Sequence, residues 1–427
     1  MVLLLILLGL VLVGFPIAFA IGLTCVSFLA LQGKLFFLQM FPQKMFTSLD
    51  VFPFLAVPFF ILAGNLMNYS GITRDLVTFV DRLVGHIRGG LAHVSVIASM
   101  LFAGITGAAV AEASALGSVL IPMMEESKYD KEFAASVIAS ASVIGPIIPP
   151  SIIMVIYALV AGNVSIAAMF VAGVVPGIVM GLLLMALIGY YASRRQYPRR
   201  ERRASLVEIA TSFRKAVFPV LMPVIIMGGI LSGIFTPTEA SAVSVVYALL
   251  IGLVVMKTLH LRDLPRIFVE SAITTAVVQL VVAAASVLSW IITIERIPQQ
   301  LSAYFMSRIQ DPLYFNLFVV ALLLVVGCFL DPASGLIITV PILLPAAMAL
   351  GIDPLFFGIV VTITLNIGLI TPPVGACLYV TCGIAHVTLE RLSRAIFFFV
   401  LAEIATVLIL VFFPRVVSFL PHALGFK

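Results

Sequence analysis

The side chains able to bind a ligand are few, and they gather beside two interruptions in an apolar chain. Asp331 lies in the stretch Gly327-Cys328-Phe329-Leu330-Asp331-Pro332, between two apolar segments. A carboxylate at membrane depth is costly and marks a site facing a cation, a substrate hydroxyl or an amine. The competing reading is a helix cap, an ordinary role for Asp before Pro. Neutral oxygens surround it in sequence: Ser99, Thr106, Ser114, Ser140, Ser142 and Ser151 in the first half, and Ser334, Thr362, Thr364, Asn366 and Thr371 in the second. The substrate-binding candidates are Asp331, Thr106, Ser142, Ser334, Asn366 and Thr371. Hydroxyls in membrane helices commonly bond the preceding turn instead. Glu112 and Glu239 also fall within apolar stretches; Glu239, in Thr236-Pro237-Thr238-Glu239, sits where a capping residue belongs, and Glu112 is left open. No His-Glu-x-x-His, paired catalytic Asp, Gly-x-Ser-x-Gly or selectivity-filter repeat occurs, so the pattern is not that of an enzyme or a channel.

The elements that must position these groups are two broken helices. Ile144-Gly145-Pro146-Ile147-Ile148-Pro149-Pro150 and Ile367-Gly368-Leu369-Ile370-Thr371-Pro372-Pro373 each interrupt an apolar segment. Proline lacks an N–H and disfavours helix in the residue before it, so each motif opens a spanning helix. In lipid, freed backbone groups are tolerated only inside protein or along a wet cavity. Paired interruptions in two halves are a sequence pointer to a transporter's binding site. At one register of about 223 residues, Gly104, Pro122, Asp130, Phe133, Gly145, Pro149 and Pro150 recur as Gly327, Pro345, Asp353, Phe356, Gly368, Pro372 and Pro373. The competing reading is two unrelated proline kinks. Exposed N–H ends favour anions and exposed carbonyl ends favour cations; sodium needs oxygen ligands alone.

Composition sets the surroundings. The chain is 62% hydrophobic and 10% charged, with mean hydropathy +1.24, far from soluble norms. This predicts an all-α polytopic membrane protein. Val2 to Val13 reads as a retained membrane segment. Cys25, Cys328, Cys377 and Cys382 lack Cys-x-x-Cys spacing and read as inert. The net charge of +5 is concentrated in loops, so it implies no nucleic acid. Arg194, Arg195, Arg199, Arg200, Arg202, Arg203, Arg214 and Lys215 are read as one loop, assigned to the cytoplasm, with Lys257 to Arg266 as a second. Gly71 to Gly90 and Glu295 to Asp311 read as amphipathic surface helices. Leu91 to Met124, broken at Gly104–Gly107, and Leu313 to Leu350, broken at Gly327–Pro332, read as re-entrant hairpins. Since the span after the first broken helix ends in the arginine cluster and its counterpart ends at Phe412-Phe413-Pro414, the repeats are expected to be inverted.

The motifs together resemble a known family. Gly104-Ile-Thr-Gly-Ala-Ala-Val-Ala-Glu-Ala-Ser-Ala, Gly145-Pro-Ile-Ile-Pro-Pro-Ser, Gly233-Ile-Phe-Thr-Pro-Thr-Glu-Ala-Ser, Asp331-Pro-Ala-Ser-Gly and Gly368-Leu-Ile-Thr-Pro-Pro-Val-Gly are similar to the large membrane (DctM-type) subunit of tripartite ATP-independent periplasmic, or TRAP, transporters. The resemblance implies sodium-driven import of an organic acid, without ATP, across a bacterial inner membrane. It also implies a small four-helix membrane subunit (DctQ type) and a soluble periplasmic substrate-binding protein as partners. The implied fold is an inverted-repeat elevator, in which a transport domain slides against a scaffold. Residues 1–90 would be scaffold and arm, 91–164 and 313–387 the two halves of the transport domain, 165–312 scaffold with a basic loop and arm helices, and 388–427 a C-terminal span. One sodium would sit near Gly104, Thr106, Gly107, Gly145 and Pro149, and another near Gly327, Asp331, Asn366, Gly368 and Pro372. Asp331 would lie beside the substrate. Among family substrates, sialic acid such as N-acetylneuraminate is favoured and C4-dicarboxylate comes next. The alternative is a stand-alone sodium-coupled anion carrier of similar fold.

Overall fold

The computed structural model describes residues 2–199, 202–297, 299–300, 303, 311–372 and 374–426. Pro373, Arg200, Glu201 and most of the amphipathic stretch expected at Glu295 to Asp311 lie outside the described residues. All regular structure among those described is helical. The chain opens with α1 (Val2–Leu12), α2 (Ile17–Leu31) and α3 (Phe41–Leu49). It continues through α4 (Ala56–Tyr69), α5 (Ile72–Val84), α6 (Gly90–Thr106) and α7 (Ala109–Glu126). The first broken helix is α8 (Lys131–Ser142) and α9 (Ile152–Ala161), followed by α10 (Ile166–Arg194). The second half contains α11 (Leu206–Leu231), α12 (Pro237–Leu250), α13 (Leu264–Ile294), α14 (Pro312–Gly327), α15 (Pro332–Ala349), α16 (Pro354–Ile367), α17 (Ala376–Ala385), α18 (Leu389–Phe412) and α19 (Arg415–Ala423). Among the described residues, seven helical stretches are long and apolar enough to cross a membrane.

Local sequence explains most boundaries. Gly14, at φ +92, and Pro16 end α1 and start α2, so the N-terminal apolar stretch is two packed helices rather than one span. The α5 helix is amphipathic as expected, burying Ile72, Leu76, Val77 and Val80 and leaving Arg74 exposed. One expectation is corrected. Arg214 and Lys215 are on α11, and Arg266 is on α13, not in loops. The Ser205 hydroxyl accepts from the Glu208 N–H while the Glu208 carboxylate accepts from the Ser205 N–H. That capping box starts the helix well before the apolar run, and shortens the basic loop. An equivalent box at Thr236 and Glu239 starts α12, so Glu239 is a cap.

The repeat is visible in the elements. α7 and α15 begin at Ala109 and Pro332, α8 and α16 at Lys131 and Pro354, and α10 and α18 at Ile166 and Leu389, all at the register of Gly104 and Gly327. Packing is reciprocal: α9 lies on α15, and its counterpart α17 lies on α7. Two groups of helices result. α4 packs on α12 and α13, α11 on α12 and α5, and α13 on α2 and α3. The hairpins, broken helices, α10 and α18 pack among themselves. The packing thus places α10 with the hairpins, apart from the rest of the 165–312 stretch, because its apolar buried face meets α6, α9, α16 and α18. The groups meet where α6 touches α4, α5 and α11, and where α15 touches α13.

The end of α10 meets the start of its counterpart α18. Tyr191 and Arg195, at the end of α10, share a surface cavity with Arg391 and Arg394, at the start of α18. Arg195 bonds Asp130 at 2.5 Å, and Tyr197 donates to the same carboxylate at 2.7 Å. Burial, aided by this bond, pushes the Tyr197 phenol up to about 12, so it remains a donor at neutral pH.

Candidate functional site

Each hairpin tip meets a helix break through glycine. α6 ends at Gly107, in the left-handed region at φ +59, where glycine is the default residue. A Cβ there would lie 2.7 Å from the Pro150 carbonyl oxygen, and one on Gly104 would lie 3.5 Å from that of Pro149 and strike the Pro223 ring. A Cβ on Gly145 would strike the Glu112 carboxylate. In the second half, Gly327 and Gly368 abut directly: a Cβ on Gly327 would lie 3.2 Å from Gly368 Cα and 3.2 Å from the Leu365 carbonyl oxygen, and one on Gly368 would strike the Gly327 carbonyl. Of the residues expected around the first ion, Gly104 and Gly107 at the tip meet Pro149 and Pro150 at the break, Thr106 lies between the two glycines on the tip, and Gly145 packs on Glu112 instead. Gly327 and Gly368 form the second junction. Pro372 is exposed, whereas Pro149 and Pro150 are buried, so the two breaks differ in their enclosure.

Between the junctions lies a cavity of about 640 Å³. Thr106 and Gly107 reach it from the first tip, Asp331 and Pro332 from the second, and Pro146 and Asn366 from the breaks. Four helix starts line it: Ala109 of α7, Ile152 of α9, Ala333 of α15 and Ala376 of α17. Helix N-termini carry partial positive charge and free N–H donors, so the cavity suits an anion. Among the described residues lining it there is no Lys, Arg or His, and Asp331 is its one carboxylate.

Of the substrate candidates, Asp331, Thr106 and Asn366 face this cavity. Asp331 caps α15, accepting from the N–H groups of Ala333 and Ser334 at 3.1 Å each and from the Ser334 hydroxyl. Both sequence readings of this residue therefore coexist: it is a cap and it lines the cavity. Asn366 donates from Nδ2 to the Thr362 carbonyl at 2.8 Å, while its Oδ1 and the Thr106 hydroxyl are buried without a partner. Ser142, Ser334 and Thr371 do not line the cavity. The Ser142 hydroxyl donates to the Ala139 carbonyl and that of Thr371 to the Ile367 carbonyl, in the backbone-bonding mode common for helical hydroxyls. Ser151 caps α9, accepting from the Met154 N–H and donating to the Pro146 carbonyl.

Other cavity residues were not picked out from the sequence. Asn65 and Asn68 of α4 and Thr274 of α13 line the opposite wall; Asn65 donates to the Ser271 hydroxyl at 2.8 Å. Their signal was two amides three residues apart on one face of an otherwise apolar helix. Two glutamates are fully enclosed. Glu112 on α7 has Oε2 unpartnered, and Glu403 on α18 has neither oxygen bonded. A further sequence expectation, inert thiols, fits free Cys25 and Cys377, both buried.

The chain resembles transport proteins in sequence and in fold. It is 40% identical over 418 residues to the sialic acid TRAP transporter large permease protein SiaM of Vibrio cholerae, covering 97% of this chain and 96% of that one. It is 37% identical over 432 residues to the C4-dicarboxylate TRAP transporter large permease protein DctM of Rhodobacter capsulatus, covering 98% of each. The crystal structure of the Alcanivorax borkumensis YdaH transporter has a similar fold, with TM-score 0.66 at 13% identity over 88% of each chain. The many apolar helices make this a multi-pass membrane protein. Residues 4–416 match the family described as the tripartite ATP-independent periplasmic transporter, DctM component, and the chain belongs to that family of large permease subunits.

Proposed function

We propose that this chain is the permease of a sodium-coupled, binding-protein-dependent importer of an organic acid, working by an elevator movement in a bacterial inner membrane. The observation that carries the reading is the cavity: four helix N-termini converge on it, and among the described residues no basic side chain lines it. An organic anion is then held by backbone N–H groups and amides, with sodium supplying the compensating positive charge. The two tip-and-break junctions offer carbonyl oxygens and the buried, unpartnered Thr106 hydroxyl and Asn366 Oδ1, a donor set that fits a hard cation. The meeting of the end of α10 with the start of α18 supports an inverted repeat. The cavity between two helix groups supports movement of the hairpin group against α4, α11, α12 and α13. A small membrane subunit enlarges the stationary group, and a periplasmic binding protein delivers the substrate.

For the substrate, we favour a sialic acid over a C4-dicarboxylate. Asp331 disfavours a second carboxylate nearby but accepts from hydroxyls, and Asn65, Asn68 and Thr274 add partners on the far wall. The test is uptake of labelled N-acetylneuraminate or succinate into proteoliposomes holding this chain and its small subunit, under an inward sodium gradient. Uptake that needs both sodium and the binding protein is the expected result. Uptake without the binding protein would instead identify a stand-alone carrier.

A further inference from the structure

The packed interior of the hairpin group holds five polar side chains from five helices. Ser99 on α6, Glu112 on α7, Ser142 on α8, Cys377 on α17 and Glu403 on α18 are each at most 1% exposed. Ser99 donates to Glu112 Oε1. The Cys377 thiol is hydrogen-bonded to Ser142 and lies within electrostatic reach of both glutamates. Glu112 Oε2 and both oxygens of Glu403 have no hydrogen-bond partner.

The repeat supplies an internal comparison. At the register of Gly104 and Gly327, the five residues correspond to Leu322, Gly335, Leu365, Met154 and Met180, and none of these is polar. Met154 and Met180 are fully buried, and Gly335 packs on the Leu365 side chain. At the equivalent place the same fold is filled by apolar side chains. Packing therefore does not require the polar set, and enclosing it costs stability. Its presence points to a ligand.

Glu403 identifies the ligand. It follows Leu389, the first residue of α18, by fourteen positions, about 21 Å along the helix. At that depth, with no donor or cation beside it, a carboxyl group is far less costly as a neutral acid than as an anion, so the species it takes is a proton. Cys377 is the buried titratable group that α17 sets against it. α16 carries none, and those of α8, α10, α14 and α19 stand at their helix ends, with Tyr191 stacked on Phe399 and Glu132 paired with Arg391 at the start of α18. A route for exchange is at hand. Ala376, the residue before Cys377, lines the substrate cavity, and Gly375 holds the turn before it at φ +42. The first turn of α17 thus has the cavity on one side and Glu403 on the other.

We propose that Glu403 binds a proton that travels with the hairpin group, so that uptake is coupled to protons as well as to sodium. The inference rests on the elevator reading above and adds a second coupling ion to it. On the outer side, water in the cavity gives up a proton and an O–H bond forms on the Glu403 carboxylate. On the inner side the same bond breaks and the proton returns to water; no bond in the substrate changes.

The test uses proteoliposomes holding this chain and its small subunit, with the binding protein outside, a fixed sodium gradient and a clamped membrane potential. Initial uptake of labelled N-acetylneuraminate, with succinate as the second label, is read beside a pH dye trapped in the lumen. Making the outside about one pH unit more acidic than the lumen should raise wild-type uptake about twofold or more, and adding substrate should acidify the lumen. Glu403→Gln, and Glu403→Met in imitation of its counterpart Met180, should assemble and still need sodium but lose both responses. Glu403→Asp should keep them in part. A Gln or Met variant that responds to the gradient as wild type does, even with uptake uniformly lowered, marks a packing role and overturns the proposal. Sodium-driven wild-type uptake that is indifferent to protons removes this inference alone, whether or not any variant assembles. No uptake by wild type removes the parent reading and this one with it.

Discussion

At Asp331 the capping and ligand-facing roles are compatible because a carboxylate has more acceptor sites than the cap consumes. Its oxygens take two backbone N–H groups and the Ser334 hydroxyl, yet the residue remains exposed to the cavity. Asn is as good an N-cap as Asp, so Asp331→Asn should alter folding stability by less than about 1 kcal/mol. It removes the only carboxylate among the described cavity-lining residues. Uptake should fall by about tenfold or more, equivalent to about 1.4 kcal/mol or more, with assembly and thermal stability retained. Uptake at the wild-type rate would leave Asp331 as a cap only. The residue itself was legible in the sequence because charge is rare inside apolar segments. Ser142, Ser334 and Thr371 stood out by the same proximity to the breaks, but hydroxyl direction is decided by local backbone geometry, which spacing along the chain does not encode. Asn65 and Asn68 escaped because α4 lies far from both motifs in sequence and meets them only through packing.

The breaks and tips are where element-level physics can be tested. Gly368 abuts Gly327 backbone to backbone, so Gly368→Ala has no flexible side chain to displace. Overpacking of this kind costs about 1–3 kcal/mol, and it should separate the second tip from its break. The expected result is a lower melting temperature and lost uptake. Gly383 on α17 has nothing within 4 Å of an added Cβ; Gly383→Ala should be neutral or stabilising by up to about 1 kcal/mol, which makes it the matched control. Equal damage from both would mean that the close contact is not what matters. In the first half, replacing Pro149 and Pro150 by Ala returns two N–H donors to the break. These compete for the carbonyls offered to the ion, so half-maximal uptake should require more sodium; an unchanged requirement would argue against an ion at this junction. Helix breaks were readable since Gly and Pro act locally. The start of α11 was misplaced for a related reason: the Ser205–Glu208 box is also local, but it lay inside a run of arginines whose charge dominated the reading.

Across the whole molecule, the repeat register was visible in the sequence, and the arginine-rich end of α10 carried the expectation that the two halves are inverted. The arginine-rich end of α10 and the start of α18 share one cavity and are joined by the Tyr191–Phe399 ring stack, while the Arg391–Glu132 ion pair at 3.8 Å ties α18 to α8. α10 spans 29 residues, about 43 Å at helical rise, so Asn163, just before its start, belongs at the opposite surface. Asn163 there contacts Met348 at the end of α15. If the repeats are inverted, equivalent helices enter from opposite sides, and two sites distant in sequence must share a face. Single cysteines at Arg195 and Arg394, with Cys328 and Cys382 replaced by Ser, should therefore react with a membrane-impermeant maleimide from the cytoplasmic side only. Asn163→Cys should react only from the periplasmic side. Labelling in right-side-out and inverted vesicles distinguishes the two. Arg195→Cys and Arg394→Cys reacting from opposite sides would contradict their shared cavity and dismantle the inverted arrangement. With it would go the pseudo-two-fold axis in the membrane plane, the operation by which an inverted repeat relates outward- and inward-facing arrangements of the hairpin group.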